Sequence, residues 1–122
     1  MKRPLTLLLG ASTNTDRTSY RALNLLHAHG QPVYAVGRTQ GQIGPVAIHT
    51  DLSQLSEPVD TLTMYLNAAN QRPWYDDILR LNPRRILFNP GSENPELESL
   101  AQAAGIFTER ACTLVLLSTN RY

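Results

Sequence analysis

Leu5-Thr6-Leu7-Leu8-Leu9 runs into Gly10-Ala11-Ser12-Thr13-Asn14-Thr15-Asp16-Arg17-Thr18-Ser19-Tyr20, and the architecture of the chain turns on this junction. The first five residues form a short, nearly continuous apolar run. Such a run suits a strand buried on both faces, as in a parallel sheet. Gly10 to Asp16 is small and polar, a loop. From Ser19 to His29, Tyr20, Leu23 and Leu26 recur at helical spacing, and Gly30 with Pro32 stops the helix.

Strand and helix alternate outward from this unit. Val33–Val36 is a second apolar strand ending at Gly37. Arg38 to Pro45 reads as a loop, Val46–Ile48 as a short extended piece, and Asp51–Leu55 as one turn of helix capped by Thr50 or Asp51. Val59–Leu66 is the third main strand. A polar stretch, Asn67 to Arg72, leads to a helix from Pro73 to Leu81, with Trp74, Ile78 and Leu81 on one face. Arg85–Phe88 is the fourth strand, Asn89-Pro90-Gly91-Ser92 a turn, and Pro95–Ala104 a helix stopped by Gly105. Ile106-Phe107-Thr108 begins a fifth strand, and Thr113–Leu117 is a last apolar run. The alternation predicts one α/β domain over residues 1–122, with a mainly parallel sheet of about five strands and helices on both faces, joined by right-handed crossovers.

Composition narrows the function. There are 11 basic and 10 acidic residues, so no basic field points to nucleic acid. Cys112 is the only cysteine, which excludes an internal disulfide and a cysteine-based zinc site. No stretch approaches the ~20 apolar residues of a membrane helix. Met1-Lys2-Arg3 before Leu5–Leu9 imitates a signal peptide, but the apolar stretch is too short. The expectation is a cytoplasmic protein with no membrane association.

Ligands of such sheets bind beyond the carboxyl ends of the strands, where strand order reverses. The first loop carries the parts of an anion site. Gly10 permits close approach, a helix N-terminus near Thr18 or Ser19 offers unpaired N–H groups, Ser12, Thr18 and Ser19 add hydroxyls, and Arg17 adds a guanidinium. An ordinary strand–helix turn, with Thr18 or Ser19 as N-cap and Arg17 solvated, fits these residues equally well. Neither G-x-G-x-x-G nor a P-loop motif is present. Arg38 stands where a ribose phosphate would meet the second strand, although a solvated arginine is the commoner case.

The pattern G-A-S-x-x-x-x-R-x-S-Y-R at Gly10–Arg21 resembles the opening of the stand-alone bacterial CoA-binding proteins, which are related to the CoA-binding domain of the succinyl-CoA synthetase alpha subunit. The likeness continues through Gly30–Val36, Val59-Asp60-Thr61-Leu62, the turn Asn89–Asn94, Ala104-Gly105-Ile106 and Glu109-Arg110-Ala111-Cys112. It implies a Rossmann-like three-layer fold holding coenzyme A across the strand ends. By position, Gly10, Ala11, Ser12, Arg17, Ser19 and Tyr20 would bind the pyrophosphate. Val36, Gly37 and Arg38 would meet the adenosine part, and Tyr65, Leu66 and Asn67 would line the pocket. Where the family often has Asn-Pro and a lysine, this chain has Gly37-Arg38-Thr39.

Little else in the chain suggests chemistry. His27 and His29 face different sides of the first helix, His49 lacks ligand companions, and adjacent Asp76 and Asp77 diverge by ~100° on a helix. Glu93 suits helix capping. Cys112 is the one possible nucleophile, with Glu109 and Arg110 near enough in sequence to tune it. Three readings follow: a non-catalytic or regulatory module for CoA or acyl-CoA, a sensor of NAD or another adenine nucleotide, or a scaffold or interaction protein with a decayed ligand site, whose interface would be Trp74-Tyr75 and Leu114–Leu117, residues that equally suit core or dimer packing; a homo-oligomer is compatible with each.

Overall fold

The leucines of the first strand divide between two cores, which is why that strand is apolar at nearly every position. In the computed structural model, which describes residues 3–122, β1 (Leu5–Ala11) sends Leu7 and Leu9 to one face and Leu8 to the other. All three are at most 1% exposed. Each such burial contributes about 1.5–3 kcal/mol.

The other elements are α1 (Thr18–Ala28), β2 (Val33–Gly37), β3 (Gly41–Ile43), β4 (Val46–His49), β5 (Val59–Met64), α2 (Ala68–Gln71), a 3₁₀ turn (Arg72–Trp74), α3 (Tyr75–Leu81), β6 (Arg85–Phe88), α4 (Pro95–Ala103), β7 (Phe107–Arg110) and α5 (Thr113–Ser118). The seven strands lie in the order β3-β4-β2-β1-β5-β6-β7. Every neighbouring pair is parallel except β3 with β4. Leu7, Leu9, Leu62, Met64, Ile86 and Phe88 pack with Ile78 of α3 and Leu97 of α4. Leu8, Ala35 and Ile48 pack on the opposite face with Leu23 and Leu26 of α1 and Leu117 of α5. Helices on both faces of one sheet give the three-layer, Rossmann-like architecture that the alternation predicts.

Four details depart from the sequence reading. The sheet has seven strands rather than about five, because residues 41–49 form a hairpin on its edge; three-residue β3 is too short to show a period, and buried Ile43 fixes it to the α1 face. Residues 51–55 form no helix: Asp51 Oδ1 accepts from the Ser53 N–H (3.0 Å) and hydroxyl (2.7 Å), a local turn that competes with helix. The polar stretch after β5 contains α2. The last apolar run is a helix, α5, with Thr113 and Leu117 buried.

Both sequence-read helix stops close in the same way. The N–H of Gln31 bonds the Leu26 carbonyl at 3.0 Å, and that of Ile106 bonds the Ala101 carbonyl at 2.9 Å, the six-to-one bond of a Schellman turn. Asn120, with φ 56°, ends α5 the same way through Arg121 N–H to Leu116 O at 2.7 Å.

Candidate functional site at the carboxyl ends of the strands

Strand order reverses beside β1. The chain steps outward from β1 to β2 and β4, then returns to the other side of β1 for β5, β6 and β7. The segment after β1 turns toward the α1 face and the segment after β5 toward the α3 face. Their divergence opens a crevice above the β1–β5 pair, the position where ligands of open α/β sheets sit.

The floor of this crevice is close-packed backbone. The Tyr65 N–H donates to the Leu9 carbonyl at 2.8 Å. Gly10 has φ +108°, and a Cβ there would lie 3.0 Å from the Tyr65 carbonyl carbon. A Cβ on Gly37 would lie 2.2 Å from the Ala11 carbonyl oxygen. Both glycines are therefore required by the meeting of the strand ends, whatever binds above them.

The first loop is held by its own short side chains. Ser12 Oγ accepts from the Asn14 N–H (3.1 Å), Asn14 Oδ1 from the Asp16 N–H (3.0 Å), and the Asn14 carbonyl from the Arg17 N–H (3.0 Å). Arg17 itself is the N-cap of α1, extended at φ −78° and ψ 139°, and no side chain caps the helix. This corrects the expectation of a Thr18 or Ser19 cap: both lie inside the first turn, with Ser19 buried. Arg17 is exposed and makes no ion pair among the described residues. Tyr20 packs its ring against the α1-side core.

The remaining sequence-selected residues serve structure to different degrees. Val36 is 1% exposed in the core, so only its backbone can face a ligand. Arg38 is exposed beyond β2. Asn67 Oδ1 is occupied as the N-cap of α2, accepting from the Asn70 N–H at 3.0 Å. Leu66 packs on the α3–α4 core. The Tyr65 hydroxyl is buried without a hydrogen-bond partner among the described residues, and burial pushes its pKa up to about 12. The nearby hydroxyls of Thr63 and Thr113, which soften that shift, lie 2.8 Å from each other and hydrogen-bond together instead.

Buried amides that the sequence reading did not select stand beside the crevice. Gln71 is fully buried, and its Nε2 donates to the carbonyls of Leu66 (2.8 Å) and Ser92 (2.7 Å). Its Oε1 accepts from Asn94 Nδ2 at 2.9 Å. Asn94 Nδ2 also reaches the Tyr75 hydroxyl at 2.8 Å, while Asn94 Oδ1 caps α4. Asn89 Nδ2 bonds Thr63 Oγ1 (2.7 Å), and Asn89 Oδ1 accepts from the Thr113 N–H (2.8 Å). These bonds tie the ends of β5 and β6 to each other and to α5. Asn94 before Pro95 was readable as a capping pair; Gln71 ends the short helix Ala68-Ala69-Asn70-Gln71, which has no distinguishing pattern.

The candidate chemical groups are dispersed. Arg110 forks onto Glu98 at 3.0 and 3.1 Å, so its charge serves α4 rather than Cys112. Cys112 is half-buried at the N-cap of α5. His49 stacks on Tyr34 with ring centroids 4.4 Å apart, and His29 Nδ1 bonds the Leu25 carbonyl at 2.9 Å. Asp77 pairs with Arg80. Glu93 accepts from the Gly91 N–H at 2.9 Å, leaving the α4 cap to Asn94. Among the described residues, no three His, Cys, Asp or Glu side chains gather to hold a metal, and no helix is long and apolar enough to cross a membrane. Of the two roles open to Trp74, Tyr75 and Leu114, interface or core, the structure shows all three packed against the core.

A three-layer domain with its crevice at the β1–β5 switch point has the form of an open α/β fold in which ligands sit beyond the carboxyl ends of the strands. The chain belongs to the CoA binding domain family, whose pattern matches residues 5–118. A crystal structure of an uncharacterized protein is similar over the whole of both chains, with 40% identity and a TM-score of 0.92. A protein of Thermus thermophilus, cell-free ID.343, is 24% identical over 98% of this chain and 91% of its own, with a TM-score of 0.87. The dinucleotide-forming acetyl-coenzyme A synthetase 1 of Ca. Korarchaeum cryptofilum, in complex with phosphate and ADP, shares the fold at a TM-score of 0.71 and 16% identity. It matches 87% of this chain and 25% of the synthetase. No curated protein matches the chain.

Proposed function

We propose that this protein binds coenzyme A or an acyl-CoA in the crevice above β1 and β5, as a non-catalytic or regulatory module. The observation that carries the reading is the uncapped start of α1 beside the crevice. Its first N–H groups, in an eleven-residue helix, lack the usual side-chain partner, and a phosphate group supplies one. Arg17 at the N-cap brings an unpaired guanidinium to the same point. Membership of the CoA binding domain family selects the ligand class. In this pose the pyrophosphate lies against Ala11, Ser12 and the first turn of α1, the adenosine lies toward Gly37 and Arg38, and the pantetheine arm passes Tyr65 and Leu66.

Calorimetric titration with CoA, with NAD as control, tests this reading. Saturable CoA binding, weakened about tenfold or more in Arg17→Ala, is the expected outcome; the lost charged contact is worth ~1.5–3 kcal/mol. Binding of NAD in preference to CoA would make the protein an adenine-nucleotide sensor. Binding of neither would remove the ligand reading.

A further inference from the structure

The opposite end of the sheet holds two cavities, of about 360 and 450 Å3, which share Arg3, Pro4, Asp60 and Arg84. They lie at the amino ends of the strands, away from the crevice. The first is lined by three arginines and one carboxylate. That carboxylate is fully engaged: Arg84 forks onto both oxygens of Asp60 at 2.8 and 3.1 Å, and the Thr61 hydroxyl adds a bond at 2.8 Å. Arg84 and Asp60 therefore cancel. Arg3 and Arg85 make no ion pair among the described residues.

Arg85 is held in place. Its Nε donates to Thr61 Oγ1 at 2.8 Å, and its guanidinium carbon lies 4.7 Å from the centroid of the Tyr122 ring. Tyr122 is itself anchored by a hydrogen bond between its hydroxyl and that of Thr6. Gripped at Nε and supported on one face, Arg85 lines the cavity, and neither of its terminal nitrogens is bonded to an acceptor among the described residues. Arg3 spends one N–H on the His29 carbonyl at the end of α1 and keeps its charge at the same wall. Asp60 attracts Arg85 from the same wall, but its hydrogen bonds go to Arg84 and Thr61; an oriented guanidinium with no carboxylate bonded to it is matched by a planar or tetrahedral oxyanion, which accepts two parallel N–H bonds.

We infer that the cavity at the amino ends of β1, β5 and β6 is a second ligand site, for a small oxyanion bearing a carboxylate or a phosphate, with Arg85 as its principal contact and Arg3 as supporting charge. The site is independent of the crevice at the carboxyl ends.

Titration of the full chain with inorganic phosphate and, separately, with succinate, against chloride at equal ionic strength, tests the inference. Amide chemical shifts give the location. At least one of the two should bind saturably, moving the amides of Arg85 and Tyr122, and the choice between them identifies the acid group. Arg85→Gln should weaken that binding fivefold or more, and Arg17→Ala should leave it unchanged. Arg85→Lys, which keeps the charge and loses the fork, should weaken it as well and serves if the glutamine variant does not fold. Saturable binding of neither anion overturns the inference. So does affinity unchanged by substitution of Arg85, or binding lost in Arg17→Ala. CoA titration is read separately, so failure at either end of the sheet leaves the other result intact.

Discussion

The two walls of the crevice are built differently. The wall after β1 is a loop exposed from Thr13 to Thr18, held by Ser12 and Asn14 acting on their own neighbours. The wall after β5 is tied by buried amides to segments some twenty residues away, through Gln71, Ser92 and Asn94. Local bonds on a solvated surface open at little cost, whereas a buried network whose members lose partners does not. One wall is free to adjust while the other keeps the crevice's shape.

The largest effect that would test this contrast is in the buried wall. Gln71→Ala leaves the Leu66 and Ser92 carbonyls and the Asn94 amide without a shared partner. It should lower stability by about 3 kcal/mol, at ~1–3 kcal/mol for each buried group left unsatisfied and with partial relaxation. Urea unfolding measures it, and a loss under ~1 kcal/mol would show that the amides are not holding the wall. Gly37→Ala comes next, at about 2 kcal/mol, because its Cβ would fall 2.2 Å from backbone rather than from a movable side chain. Arg17→Ala inverts the pattern: stability should stay within ~0.5 kcal/mol of wild type, while CoA affinity falls about tenfold. A melting curve and a titration on one sample compare the two.

The smallest effect lies at the far end of the sheet. The hydrogen bonds from Arg84 hold the Asp60 carboxyl below its ordinary value of 3.8, against partial burial, which pushes the other way. A lowered folded value contributes stability that is present above pH 3.8 and is lost as pH falls through the folded value. Asp60→Asn should flatten the acid limb of the stability curve in that window. The amplitude should stay below ~1 kcal/mol, because Arg84 is largely exposed and such pairs are screened. An unchanged acid limb would mean that the pair adds nothing to the fold.

Much of the architecture was legible because burial on both faces writes itself into short apolar runs. β1, β2 and β6 carry such runs, and Gly30 and Gly105 mark the helix stops. β3 was illegible because three residues cannot display a period, and α5 because its four apolar residues, Leu114–Leu117, read alike as strand or helix. At the crevice the first loop was legible as a set of parts. The roles of those parts changed with the structure, since Gly10 and Gly37 answer to packing and Arg17 is the N-cap.

By itself the sequence determined the alternation of strand and helix, the two-sided burial of the central strands and the polar loop after β1. Each of these is a local property of neighbouring residues. The tertiary structure alone decided which distant side chains meet. Gln71 finds Asn94 across the buried wall, and Arg85 is flanked by Thr61 and Tyr122 around a cavity to which Arg3 also contributes. Strand order sets those meetings, and no spacing along the chain encodes them.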